Sequence, residues 1–448
     1  MIEILFGIHA VLLLLLYNLL KKKVGRVIAL VFFGYMSAFT VLKPALLYYY
    51  GLYFPYSTND PQAVQSLLTG TVIFLAVQYL GIKLLGNLSP SRFALRCYSF
   101  DAARPAGIML AFVVLTAVSF VGCVIKFGSV GYLFAANDSF EATMKLAGGS
   151  WYITYIAEIL VYGLLMFVGY TYWRYPAKRS FILMLVALLF TYFWAKMAAR
   201  TGVLVILVAW IACFFSIRQQ QKINIVYIGA FGYILLIFLY VGNLLRLGST
   251  SEINLNTAVF GALFAAASDL SPVDNAVLLY SEMANHGSTY FVQLLGAITP
   301  LVLLPSSLFP FKLPADKDAE LTRMFFPEGA DTAFYHEGST LTFTVPATGY
   351  ADAGFFGVFV ASTIYVLLFC WYIRIFRRGS RSARYIVSYL MLVHIVGFRL
   401  SIESLLISFY ASLLFFGIVR ALAMSLGRVK KQNAPTGSPV LETLPTVK

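Results

Sequence analysis

Six cations in this chain are placed where chemistry on an anion could occur. Lys196, Arg200, Arg246, Lys312, Arg323 and Arg399 fall, on the topology argued below, at or beyond the outer ends of long apolar runs. A cation held near hydrocarbon is costly unless something anionic offsets it, and outer ends are where Lys and Arg are normally depleted. Lys196 and Arg200 are the sharpest pair. They sit at the tip of a tight hairpin between runs 180–195 and 202–217, with no acid inside the hairpin. Arginine suits phosphate because its planar fork offers two parallel donors. The set predicts an anion-binding site at a membrane surface.

Acid–base candidates lie mostly between 246 and 353. His336 and Glu337 are adjacent, and histidine titrates near neutrality. Asp269 and Asp274 interrupt an apolar stretch, where an ionised carboxylate is costly unless wet or paired. Either could take a proton from a hydroxyl nucleophile, and either could equally cap a helix. Arg399 and Glu403 are spaced to pair on one helical face, or to line one cavity. Lys43, Lys126 and Lys317 read as interfacial side chains that snorkel or pair with nearby acids. His9 and His394 fall inside apolar runs and read as packed. Glu158, also inside a run, is a structural partner or a cavity group. Cys97, Cys123, Cys213 and Cys370 form no disulfide framework, and no C-x-x-C or H-x-x-x-H spacing occurs, so no metal site or cofactor is expected.

The elements that must position these residues are membrane helices. The chain of 448 residues is 60% hydrophobic and only 12% charged, and runs of about 20 apolar residues recur along it. That predicts an all-α polytopic membrane protein and excludes a β-barrel, whose segments alternate over about ten residues. The net charge of +14 is carried largely by anchors between spans, so a nucleic-acid partner is not expected. The first run has Glu3 before it and Lys21, Lys22 and Lys23 after it, which reads as a permanent helix and not a cleaved signal.

Basic runs orient the chain. Lys21–Lys23 with Arg26, then Arg92, Arg96 and Arg104, then Arg374–Arg384 all mark the cytoplasmic side. Helices are expected at 2–20, 27–47, 66–86, 106–126, 151–173, 180–195, 202–217, 223–244, 354–373, 385–399 and 404–424. That gives eleven spans, with the N-terminus outside and the C-terminus inside, and thirteen as the alternative. Spans 1–8 occupy 1–245, and a large external region occupies 246–353. The C-terminal spans occupy 354–427, and a disordered cytoplasmic tail 428–448. Within 246–353 the segments 257–280 and 291–309 are broken by Asp and Pro. They are expected to lie at the interface or to re-enter, which broken backbone tolerates only against protein or a wet cavity.

Two stretches carry a family resemblance. Gly287-Ser288-Thr289-Tyr290, followed by the run Pro305 to Pro314 that includes Lys312, resembles the "G-x-[ST]-Y … P-x-K-P" stretch of bacterial Wzy-type O-antigen polymerases. Pro346 to Gly357 is similar to the glycine-containing segment that opens their next helix, and Arg200-Thr201-Gly202 fits their basic hairpin tip. Ser306 stands where the family often has arginine, and the family's Glu and Asn in the last segment are not matched. The resemblance implies a GT-C-like glycosyltransferase architecture in the bacterial inner membrane, with its site facing the periplasm. It implies polymerisation of undecaprenyl-pyrophosphate-linked repeat units, with a chain-length regulator protein as a partner. On that reading Lys196, Arg200, Arg246, Lys312 and Arg399 bind substrate pyrophosphate, and His336, Glu337 or Asp269 activates the acceptor hydroxyl. The competing expectations are an O-antigen ligase and a flippase or transporter. The transporter expects cations spread through the membrane depth and internal repeats, which the sequence does not display.

Overall fold

A computed structural model describes residues 1–50, 60–101, 270–286, 289–299, 317–325 and 342–425, with isolated positions between 103 and 114. The expected spans from 106 to 244 lie outside the described residues, apart from those isolated positions. Every regular element among the described residues is helical. Five helices are long and apolar enough to cross a membrane: Ile2–Val24, Arg26–Tyr49, Pro61–Leu85, Val345–Arg378 and Ile402–Ser425. Large apolar side chains such as Ile4, Ile8, Val11, Leu14, Phe356 and Phe359 stand exposed on their outer faces. That is the pattern of a surface meant for lipid. The chain is an all-α protein of the membrane-embedded class.

Helix α1 (Ile2–Val24) and α2 (Arg26–Ser37) are joined by Gly25 alone, whose φ of 94° is open to glycine at little cost. The second span continues through a π-helical turn, Ala38–Leu42, into α3 (Lys43–Tyr50). Pro44 explains the turn. Its ring would collide with the carbonyl four residues back in an α-helix, and here the Lys43 N–H reaches back to Ala38 O, the wider π spacing. Helix α4 (Pro61–Leu85) starts with Asp60 accepting from the Gln62 N–H at 2.8 Å and proline in its first turn.

Among the described residues, the short α5 (Arg92–Cys97) is followed by α6 (Ser271–His286), α7 (Val292–Ile298) and α8 (Lys317–Phe325). Helix α9 (Val345–Arg378) is broken by Ala353 and Gly354, which leave helical geometry. Its first part folds back on its second, so closely that a Cβ at Gly349 would stand 2.6 Å from the Gly357 carbonyl oxygen. Helix α10 (Arg381–Val396) is capped by Ser380 and ends in a 3-10 turn, Gly397–Arg399; α11 (Ile402–Ser425) completes the described chain.

The C-terminal ends of α1, α4 and α9 meet at one end of the bundle. Lys23 donates to Asn87 at 2.7 Å, as does Arg377, and Arg374 donates to the Leu85 carbonyl at 2.9 Å. Cations there complement the exposed carbonyls of α4. The three helices therefore run the same way, as the basic anchors require. Helix α10 starts at this basic end, where Ser382 links to Phe100 N–H and to Asp101. Its other end rises only to the Phe74 ring, which packs on Phe398 at 4.9 Å. Phe74 stands roughly 16 Å from Leu85 at 1.5 Å per residue, near the middle of α4. The turn between α10 and α11 is thus buried at half-height. From it α11 descends again, with Phe409 against Tyr372 and Phe416 against Tyr98.

Candidate functional site

The pieces that meet at this turn carry charge. Lys317 opens α8 and is fully buried. Its ammonium contacts Asp352 Oδ1 and the Thr289 hydroxyl. Asp352 is the last helical residue before the α9 break. Its Oδ1 also accepts from Thr289 Oγ1 at 2.8 Å and from the Phe291 N–H at 3.0 Å. Thr289 is fixed in turn by its own N–H, which donates to Ala351 O at 3.0 Å. Between these bonds Tyr290 and Phe291 both adopt positive φ, 50° and 60°. Two consecutive non-glycine residues in that region store about 1–3 kcal/mol each, and the bonds to Asp352 and Ala351 hold them there.

Asp318, the next residue on α8, bridges two other breaks. One oxygen accepts from the Phe343 N–H and the other from the Ser401 N–H, both at 3.4 Å. Ser401 caps α11, its Oγ accepting from the Ser404 N–H at 3.3 Å. Glu403, two residues into that helix, is fully buried and within electrostatic reach of Lys317, Asp352 and Asp318. Chain interruptions before α7, before α9, within α9 and between α10 and α11 thus converge on one buried charged centre. Ionisable groups at such depth in a membrane protein are expensive and mark function by default.

A second buried pair lies on α3 and α6, where Lys43 meets Asp274 at 2.9 Å. Of the two expectations for Lys43 and Lys317, pairing with acids is the one found, since both are buried against Asp274 and Asp352 rather than reaching the interface. The π turn brings Lys43 into the chain directly after the widened backbone, and Asp274 sits in the first turn of α6.

Of the residues expected from sequence to bind substrate or move protons, Lys196, Arg200, Arg246, Lys312, His336, Glu337 and Asp269 lie outside the described residues. Arg399 is described. It is half-buried in the 3-10 turn at the height of Phe398, so it stands near mid-bundle and not at an outer end. Of the two expected arrangements with Glu403, one helical face or one cavity, the helical face does not form, because Leu400 is extended and the chain breaks between the two. His9 and His394 are structural. His9 Nε2 bonds Thr71 Oγ1 at 2.7 Å, and His394 Nε2 lies 3.0 Å from Tyr365 O while its ring stacks on Phe369.

The sequence reading missed Lys317, Asp352, Asp318 and Glu403 as a group. The available signal was Asp352 inside the resembling segment Pro346–Gly357 and Thr289 inside Gly287–Tyr290, two motifs whose contact only the fold reveals. Among the described residues no three His, Cys, Asp or Glu side chains gather closely enough to hold a metal ion. In comparisons with family models, curated proteins and solved structures, nothing matches this chain.

Proposed function

We propose that the protein is a glycosyltransferase that joins undecaprenyl-pyrophosphate-linked oligosaccharide repeat units into O-antigen or a related surface polysaccharide. It would work in the bacterial inner membrane at the periplasmic face. One observation carries the proposal. The two stretches that resemble Wzy-type polymerases meet at the same buried centre, Thr289 of the first bonding Asp352 of the second, with Lys317 between them. The basic end formed by Lys23, Arg374 and Arg377 is the cytoplasmic one on the positive-inside rule, which turns the opposite end toward the periplasm.

The chemistry follows from the leaving group. Departure of the polyprenyl pyrophosphate builds negative charge, which preorganised Arg and Lys donors would stabilise. Lys196, Arg200, Arg246, Lys312 and Arg399 are assigned that role, with His336, Glu337 or Asp269 taking the acceptor proton. Purified protein supplied with lipid-linked repeat units should produce chains of several repeats. Arg200→Ala and Arg246→Ala should abolish extension while leaving membrane expression intact. Long polysaccharide at normal levels from both variants would remove the pyrophosphate role.

A carrier is favoured by one finding, the depth of Lys317, Asp352 and Glu403 at a meeting of discontinuous helices, a pattern that transporters use. It is distinguished by the same assay. A carrier moves its substrate across proteoliposome membranes and leaves the glycan length unchanged.

A further inference from the structure

Three carboxylates share the buried centre with Lys317, only Asp352 in direct contact with it, and two of the three are engaged. Asp352 Oδ1 takes Lys317, the Thr289 hydroxyl and the Phe291 N–H. Each oxygen of Asp318 takes a backbone N–H. Glu403 differs. Its carboxylate is fully buried, and among the described residues no neighbouring group donates to either oxygen; only its own backbone N–H lies near.

A glutamate in the first turn of a helix is stabilised by the helix dipole, and that role alone would explain its type. It does not explain its place. An exposed glutamate would serve the dipole without losing its hydration, whereas a buried carboxylate without donors is costly. It lies within electrostatic reach of Lys317, which donates to Asp352 and Thr289 and not to Glu403, at the point where α8, the broken α9 and the α10–α11 turn come together. A hydroxyl is the donor such a group lacks.

We infer that Glu403 is the proton acceptor for a sugar hydroxyl brought to this centre. The inference rests on the glycosyl-transfer reading and replaces the His336, Glu337 or Asp269 assignment within it. In the step, the acceptor oxygen bonds to the anomeric carbon of the donor sugar. The bond from that carbon to the pyrophosphate oxygen breaks, its electron pair leaves with the pyrophosphate, and the hydroxyl proton passes to the Glu403 carboxylate. Lys317, held by Asp352, keeps a positive charge within electrostatic reach of Glu403. Asp318 fixes the start of α11 through the Ser401 N–H and so positions the carboxylate.

The test uses full-length protein, with lipid-linked repeat units as donor and acceptor. Glu403→Gln keeps the shape and removes the base. Its extension rate should fall about 10²–10⁴-fold, the usual range for a lost general base, while its affinity for the lipid-linked donor stays at the wild-type value. Glu403→Asp keeps the carboxylate and should retain more activity than the glutamine variant. Wild-type rates in Glu403→Gln overturn the inference, and so does a loss of donor affinity that accounts for the whole loss of rate. If Glu403→Gln cannot be recovered folded, Glu403→Asp decides alone. A reduced rate at unchanged donor affinity supports the role, and an unchanged rate overturns it. Wild-type protein that makes no polymer at all removes the glycosyl-transfer reading, and the inference with it.

Discussion

Thr289 donates to Asp352 across 63 positions of sequence, at 2.8 Å. That bond joins the strained turn before α7 to the break in α9. Asp352 accepts it on the same oxygen that takes Lys317 and the Phe291 N–H, so one carboxylate oxygen organises three chain segments. The Tyr290 side chain does little to keep that residue at positive φ, since it is 74% exposed. A backbone conformation of this kind persists only where its surroundings over-determine it.

The Lys317–Asp352 pair should behave as a buried ion pair whose members cannot be removed singly. Lys317→Met leaves a buried carboxylate with two neutral donors, and Asp352→Asn leaves a buried ammonium. Each is expected to destabilise by about 3–5 kcal/mol. The double variant should lose less than the sum, because neither charge is then stranded. Thermal unfolding of the four detergent-solubilised proteins measures the cycle. Strictly additive losses would show that the two side chains do not depend on each other.

Gly357 and Gly354 should fail for different reasons. A Cβ at Gly357 would overlap the Gly349 carbonyl, a collision between two backbones that no rotamer relieves. Gly354 has open space for a Cβ but a φ of 60° with ψ of −143°, a region almost closed to other residues. Gly357→Ala is therefore expected to lower the yield of folded protein sharply. Gly354→Ala should cost about 1–3 kcal/mol through strain and shift the angle at which Asp352 is presented. Size-exclusion profiles and unfolding temperatures of both variants check this. Wild-type behaviour of Gly357→Ala would mean that the two parts of α9 are not packed together.

The helical architecture was legible because apolar runs and basic anchors are local signals. The run expected at 2–20 extends to Val24, and that expected at 404–424 is Ile402–Ser425. The run at 66–86 begins five residues earlier, at Pro61, because Asp60 and Pro61 supply a cap that hydropathy ignores. The expected start at 354 marks the break inside α9, and Val345–Asp352 precedes it as a separate helical piece. The buried centre was not legible, for a physical reason. Lys317 and Asp352 belong to segments with no shared periodicity, and only the tertiary fold brings them together. Lys43 shows the same limit. Pairing with an acid was open from sequence, but the π turn at Pro44, which leaves it buried, and the partner Asp274, far along the chain, were not.

Cys97 offers a check on orientation that does not depend on activity. It ends α5, among the basic residues Arg92 and Arg96, and is half-buried, whereas Cys370 is buried inside α9. Burial pushes the Cys97 thiol above its ordinary range, only partly opposed by Arg420. A raised thiol holds less thiolate at neutral pH, and thiolate is the reacting form. Labelling by a maleimide should therefore be slow at neutral pH and keep accelerating as pH rises past the usual thiol range. In a variant keeping Cys97 as the sole cysteine, a membrane-permeant maleimide should label intact cells and an impermeant one should not, because basic loops face the cytoplasm. Labelling by the impermeant reagent in intact cells would invert the orientation, and would place the Lys317–Asp352–Glu403 centre on the side where no periplasmic sugar could reach it.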